Sequence, residues 1–356
     1  MVSKGSGAPI AFRAVEKRYG AVTALTDFSL DVAAGEFITL LGPSGSGKTT
    51  ALNVLAGFIE PSGGDVEIGG VSISRLPTEK RNVGMVFQSY SLFPHMNVRD
   101  NVAFPLRMRG VAAAERRSRA DVALAMVRLD GYGDRQPHEL SGGQRQRVAF
   151  ARAVVFEPKV LLMDEPLGAL DLKLREAMQD EIRQVQRRIG CTVIYVTHDQ
   201  GEALAMSDRI VVMSNGRIEQ VGTPAEIYDR PVNAFVAEFV GETNLLPARM
   251  LDGALRLGDT SQAHRPPPGI PVDWMGRIAL RPEYIQRCAG SGRGAAVLCE
   301  IRDVAFHGSR VRYLAEAPGL GALTITEQRG QGLEPLAVGA RAEFALALER
   351  AAVLAG

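Results

Sequence analysis

The stretch Gly42-Pro43-Ser44-Gly45-Ser46-Gly47-Lys48-Thr49 constrains the fold of this chain more than any other, because of what surrounds it. It follows the apolar run Phe37-Ile38-Thr39-Leu40-Leu41, which reads as a buried strand. It opens a helix expected from Lys48 to about Gly57, with Gly57 as the stop. Strand, glycine loop and helix in that order are the context a phosphate loop requires. The glycines let backbone N–H groups close around an anion, and the helix N-terminus adds partial positive charge. Lys48 would reach the β- and γ-phosphates of a nucleotide, and the Thr49 hydroxyl would ligate Mg²⁺. Thr50, on the same first turn, completes the expected cradle.

With 356 residues the chain is comfortable as two domains. A formal net charge of +1 and no blocks of like charge argue against partners recruited by bulk electrostatics, such as nucleic acid or a membrane surface. The three cysteines, Cys191, Cys288 and Cys299, are unevenly spaced and read as small buried hydrophobes in a reducing compartment. No apolar run approaches the roughly 18 residues of a spanning helix, and the N-terminal residues lack the apolar stretch of a signal peptide. A cytoplasmic protein is expected, with any membrane span supplied by other subunits.

Residues 10 to 41 read as successive strands, and Gly63 to Ile73 as a hairpin-like segment with glycine turns. Residues 97 to 135 are rich in Ala, Arg and Leu at helical spacing and read as a helical insert. Strand and helix then alternate again. Lys159 to Asp164 is a buried strand; after Asp171, Leu174, Met178, Ile182, Val185 and Ile189 share one helix face, and Gly190 stops it. Cys191 to Asp199 is another buried strand, and Arg209 to Gly222 a hairpin around Asn215-Gly216. Continuous apolar strands separated by helices imply an α/β fold with a parallel sheet covered on both faces. Beyond about residue 245 long helices give way to alternation at Val297, Cys299, Ile301; Val311, Tyr313, Ala315; and Phe344, Leu346, Leu348. The expected domains are therefore 8–240, with a helical subdomain at about 90–158, and an all-β domain at 245–356.

Three further sites carry chemistry. Asp164 ends an apolar strand, where ligands of open α/β sheets bind, so its carboxylate is placed to hold Mg²⁺. Glu165 follows and can act as general base toward an attacking water. His198 ends a second strand and could hydrogen-bond the γ-phosphate. Ser141-Gly142-Gly143-Gln144 has the spacing of a capping box for a helix running through Val148, Ala151 and Val155. Two glycines in a first turn destabilise a helix by about 1 kcal/mol each relative to alanine in its interior, which a plain cap does not need. They suit a backbone that something approaches closely. Arg145 and Arg147, in place of first-turn acids, fit a second anion site.

In order and spacing, Gly42–Thr49, Leu140–Gln144 (LSGGQ), Val160–Pro166 (VLLMDEP), Gly168–Asp171 (GALD) and Val196–Asp199 (VTHD) resemble the ATPase subunit of an ABC transporter. The resemblance spans about residues 10 to 245. It implies an ABC cassette of the P-loop NTPase class: a RecA-like parallel sheet core, an antiparallel β subdomain and a helical subdomain. It implies that Tyr19 stacks on adenine, that Gln88 links Mg²⁺ and water to the membrane partner, and that Asp171 signals between two subunits. The family often has Ser-Ala-Leu-Asp where this chain has Gly168 first. Phe87–Gly110 and Glu226–Leu246 resemble bacterial importers of the polyamine, opine, phosphonate and ferric-iron group. Leu280-Arg281-Pro282-Glu283 is similar to their transport-associated OB-type (TOBE) module.

An OB-like domain can also bind single-stranded nucleic acid, but Trp274, Tyr284, Phe306, Tyr313 and Phe344 are scattered, so no nucleic-acid partner is expected. ABC proteins acting on ribosomes or DNA carry two cassettes or a long coiled coil, and neither is present. The resemblance thus implies a homodimer using ATP and Mg²⁺ on the cytoplasmic face of a bacterial inner membrane. It sits beneath two permeases, contacted near Gln88 to Val98, and indirectly serves a substrate-binding protein. Polyamine is the cargo expected first; 2-aminoethylphosphonate, iron or sugar stay open.

Overall fold

The computed structural model describes residues 7–168, 170–267, 270–288, 296–330 and 334–354. Two compact units divide the chain between Pro224 and Ala225.

The first unit begins with β1 (Ile10–Tyr19) and β2 (Val22–Val32), followed by β3 (Phe37–Leu41) and α1 (Lys48–Ala56). Next come β4 (Gly63–Ile68), β5 (Val71–Ser72), β6 (Val83–Val86), α2 (Val98–Met108), α3 (Ala113–Met126) and α4 (Gly142–Val154). The unit finishes with β7 (Val160–Asp164), α5 (Leu172–Ile189), β8 (Thr192–Thr197), α6 (Gln200–Met206), β9 (Arg209–Ser214) and β10 (Arg217–Gly222).

Strands β2-β1-β4-β5 form an antiparallel sheet, and β10-β9-β3-β8-β7-β6 a sheet that is parallel from β9 to β6. Every residue of β8 is buried, because its alternate side chains feed two cores. Val193 and Tyr195 pack with α4 and α5, while Ile194 and Val196 pack with α1 and the antiparallel sheet. The expected insert is two helices, α2 and α3, followed by a loop that leads to α4. Gly57 and Gly190 end α1 and α5 in the left-handed conformation. No helix among the described residues is long and apolar enough to cross a membrane.

The second unit opens with α7 (Pro224–Asp229) and α8 (Ala234–Phe239). It continues with β11 (Asn244–Leu251), β12 (Ala254–Leu257), β13 (Ala263–His264), β14 (Met275–Leu280), β15 (Ile285–Arg287) and β16 (Ala296–His307). The last strands are β17 (Arg310–Ala317), β18 (Gly321–Gln328), β19 (Arg341–Leu346) and β20 (Ala352–Leu354). Two five-stranded sheets, β13-β12-β11-β14-β20 and β15-β19-β16-β17-β18, close on one core that includes Leu255, Ile278, Cys299, Tyr313 and Phe344. Leu348, expected to continue the last strand, instead starts a 3₁₀ turn, though it is buried as expected.

The two units part between Pro224 and Ala225, at the start of α7, while the change in sequence pattern falls near residue 240. Arg281 is the physical reason. Its guanidinium, 3% exposed, donates to the carbonyls of Tyr228, Ala237, Gly241 and Glu242, so α7 and α8 are tied to the β-rich unit. The LRPE motif thus carries a structural cation whose direct hydrogen bonds go to backbone carbonyls, with the charges of Glu283 and Asp229 nearby.

Candidate nucleotide-binding site

The parallel sheet brings four strand ends side by side in the order β3, β8, β7, β6. The chain leaves them at Gly42, at His198, at Glu165 and toward Gln88, so residues far apart in sequence meet along one edge.

The glycine loop at β3 is fixed by sterics. Gly45 and Gly47 have φ of +80° and +99°, a region L-residues avoid. A β-carbon on Gly47 would lie 2.6 Å from the Ala24 carbonyl oxygen of β2, and one on Gly42 would strike the Met213 carbonyl of β9. Gly47 leaves α1 without a side-chain cap, so the helix keeps free donors at its start. Lys48 is 5% exposed, and its ammonium donates to the carbonyls of Gly42 and Pro43, both at 2.8 Å, with Ser46 Oγ at 3.4 Å. Burial lowers the Lys48 pKa, against the pull of Glu165 and Asp164.

The Thr49 hydroxyl donates to Asp164 Oδ1 at 3.2 Å. Burial raises the Asp164 carboxyl, and Glu165 adds to this, while the Thr49 hydrogen bond and Lys48 oppose it. A hydroxyl and a carboxylate side by side form a hard oxygen pair that suits Mg²⁺. Glu165 follows at φ +43°, a left-handed conformation worth about 1–3 kcal/mol of strain in a non-glycine residue. Its N–H bonds the Val196 carbonyl at 3.0 Å, which pins it across to β8. Its carboxylate lies 3.1 Å from His198 Nδ1 and 3.4 Å from Gln88 Nε2. Lys48, Thr49, Asp164, Glu165, Gln88 and His198 therefore make one constellation: a buried cation, a hard-oxygen pair, and a carboxylate held between an imidazole and an amide.

The remaining expected residues lie apart from it. Tyr19 ends β1 with its ring half exposed under the Lys17 ammonium at 5.0 Å. Ser141 and Gln144 close a capping box on each other, at 2.9 and 3.3 Å. The position a β-carbon would take on Gly142 has nothing within 4 Å, whereas on Gly143 it would lie 2.6 Å from Leu174 Cδ2. Gly143 thus has a packing reason within the chain, and only Gly142 faces open space. Arg147, expected to favour an anion there, turns inward to Glu181 at 2.9 Å. Arg145 donates to the Leu140 carbonyl at 2.8 Å. Neither arginine is needed to explain an anion site at this helix start. Asp171 caps α5 through Leu174 N–H at 3.0 Å; Ala169 beside it lies outside the described residues.

The loop after Gln88 is held from the helical subdomain. Arg152, at the far end of α4, donates to the carbonyls of Tyr90 and Ser91, and Asn101 of α2 holds both the N–H and the carbonyl of Phe93. A groove of about 790 Å³ lies beside it, lined by Met85, Phe87, Phe93, Phe104, Met108 and Phe156. Sequence reasoning missed Arg152 and Asn101, because polar residues on amphipathic helices give no signal of what they reach.

Residues 25–168 match the ABC transporter family and residues 278–354 the TOBE domain family. The spermidine/putrescine import ATP-binding protein PotA of Rubrobacter xylanophilus is 45% identical over 99% of this chain and 96% of its own length. The Fe(3+) ions import ATP-binding protein FbpC of Rhizobium etli is 46% identical over 89% of this chain and 90% of its own. A dimeric ATP-binding cassette in a post-hydrolysis state, bound to ADP and Pi, shares the fold with TM-score 0.55 at 33% identity. That match covers 60% of this chain and 98% of the solved one. The chain belongs to the ATP-binding subunits of ABC transporters: it is a nucleotide-binding ATPase cassette followed by a TOBE domain.

Proposed function

We propose that this subunit hydrolyses ATP to drive import through a membrane transporter, working as a homodimer, with polyamine (spermidine or putrescine) as cargo. The observation that carries the mechanism is the Glu165 carboxylate, 3.1 Å from His198 Nδ1 and one residue from the Thr49–Asp164 pair. Glu165 takes the proton of the attacking water, and His198 and Gln88 hold its carboxylate in place. Lys48 exchanges its loop carbonyls for phosphate oxygens, and the amides of Gly42 to Thr50 cradle the phosphates. Thr49 and Asp164, with Gln88 nearby, would hold Mg²⁺, which when bound neutralises charge on the phosphates. Tyr19 receives the adenine. Ser141 to Gln144 of one subunit face the γ-phosphate bound to the other, and Asp171 lies at the same contact. The self-capped start of α4, with open space at Gly142, is compatible with that role.

The groove beside Phe93 is the proposed seat of a permease segment, which puts the subunit peripherally on the cytoplasmic face of the bacterial inner membrane. Two permeases and an external binding protein complete the assembly; no nucleic acid takes part. Relatives named for spermidine/putrescine import favour the polyamine reading. Those named for Fe(3+) import, at 45–47% identity against 45–57%, favour iron as the second one. Uptake of labelled spermidine and of labelled ferric iron by cells lacking this gene separates the two. For the chemistry, Glu165→Gln should abolish steady-state hydrolysis while ATP still binds. Retained turnover would remove Glu165 from its role.

A further inference from the structure

His198 has 61% of its side chain exposed, and its Nδ1 meets the Glu165 carboxylate at 3.1 Å. Its backbone neighbours, by contrast, are held on both sides by a buried polar cluster. Glu202 of α6 is 2% exposed. Its Oε2 accepts from the Tyr195 hydroxyl and the Thr197 hydroxyl, both at 2.7 Å. Thr197 Oγ1 in turn accepts from Asp199 N–H at 3.0 Å, and Asp199 Oδ1 caps α6 at Glu202 N–H, also at 3.0 Å. Thr197 and Asp199 are the residues on either side of His198, so both ends of its peptide are tied to Glu202.

This cluster is closed by one cation from another element. Arg175, in the first turn of α5, donates from Nη1 to Asp199 Oδ2 at 2.7 Å. Its Nη2 donates to the Leu170 carbonyl at 3.3 Å, one residue before Asp171. Its buried Nε has no hydrogen-bond partner among the described residues and lies 3.7 Å from Glu202 Oε1. A buried carboxylate facing Asp199 without that cation would be left with like charge and no compensation, a costly arrangement. Burial already raises the Glu202 carboxyl and, together with Glu202, the Tyr195 hydroxyl.

Resting on the reading of His198 given above, we infer that Arg175, acting with Glu202, is a positioning residue that holds His198 against Glu165. It ties the corner before Asp171 to the corner that carries His198. Arg175 acts through Asp199 and the Thr197–Glu202 pair. The same side chain makes any movement of the Leu170–Asp171 corner felt at His198.

The test uses the full chain and two variants, Arg175→Met and Glu202→Gln. The second keeps the shape of the carboxylate but turns an uncharged amide toward Arg175, and it serves if the first fails to fold. Steady-state hydrolysis should show kcat reduced roughly ten- to a hundredfold, the usual cost of losing an orienting partner, with KM for ATP nearly unchanged. Arg175→Lys, which restores one bond to Asp199, should recover part of kcat. The second readout needs no hydrolysis. With 5 histidines in the chain, the His198 ring resonance can be assigned by its loss in His198→Ala. It should shift in Arg175→Met and Glu202→Gln of the nucleotide-free protein while those of His95 and His138 stay. An unmoved His198 resonance, or wild-type kcat in folded variants of both kinds, overturns the inference. A His198→Ala chain that hydrolyses normally instead overturns the underlying reading of His198, and the role of Arg175 with it.

Discussion

The helix starts at Gly47-Lys48 and at Ser141-Gly142 are alike in sequence, each glycine-led and each suited to an anion, but they are built differently. At α1 the backbone has no alternative: Gly47 sits at φ +99° with the Ala24 carbonyl where a β-carbon would go. No side chain caps that helix, and the buried Lys48 ammonium is held by the Gly42 and Pro43 carbonyls of the loop itself. At α4 the chain satisfies itself through the Ser141–Gln144 box, Gly143 fits under Leu174, and Gly142 alone looks outward. The first is a cradle completed by its own fold. The second is a finished helix end with one open face, and anything it recognises must come from outside the chain.

Breaking the first cradle should have the largest effect. Gly47→Ala adds strain of about 1–3 kcal/mol and a steric clash, so ATP binding should be lost and the melting temperature lowered. The same change at Gly142 should leave ATP binding untouched and keep or slightly raise the melting temperature, as read by titration with a fluorescent ATP analogue and by thermal melts. Equal losses at the two positions would erase the distinction. Next is charge. Because burial raises the Asp164 carboxyl, the folded chain holds that proton more tightly than the unfolded chain does. Asp164 therefore destabilises the nucleotide-free protein at neutral pH, and the cost fades as pH falls through its folded pKa. Asp164→Asn should raise the melting temperature at pH 7, by an increment that shrinks on acidification, while hydrolysis disappears.

Ser141→Ala should destabilise by about 1 kcal/mol in urea unfolding through loss of the cap, with single-chain ATP affinity unchanged. Gly143→Ala should cost about 1 kcal/mol or less, because Leu174 Cδ2 is the flexible end of a half-buried side chain. Adding Leu174→Ala should return most of it. No recovery would mean that packing is not what keeps Gly143 small.

The comparison also marks what the sequence could carry. Strand, loop and helix around Gly42–Lys48 are local, and so is the box at Ser141–Gln144; both were legible. The convergence of Glu165 and His198 follows from the rule for parallel strand ends, whereas Gln88 was expected only from the family resemblance. Arg147 was misread as anion-favouring, since nothing local tells that it turns to Glu181 on α5. The three buried arginines Arg81, Arg152 and Arg281 escaped for the same reason. Each gives its donors to backbone carbonyls, partners that leave no trace in residue type. Helices α7 and α8 were grouped with the cassette because their partners, Arg281, Glu283 and Tyr284, lie more than forty residues on and leave no local trace. The Arg175–Asp199–Glu202 cluster had one weak trace, the Asp-x-x-Glu spacing of a helix cap.

The central claim is that the open start of α4 serves ATP bound to a second copy of the chain. The direct test is the mass in solution, by light scattering with ATP and Mg²⁺, of Glu165→Gln and of Glu165→Gln carrying Gly142→Asp. Gly142 faces open space, so the added carboxylate acts by charge rather than by disturbing the fold. The account predicts two chains for the first protein and one for the second. Two chains in both would contradict it.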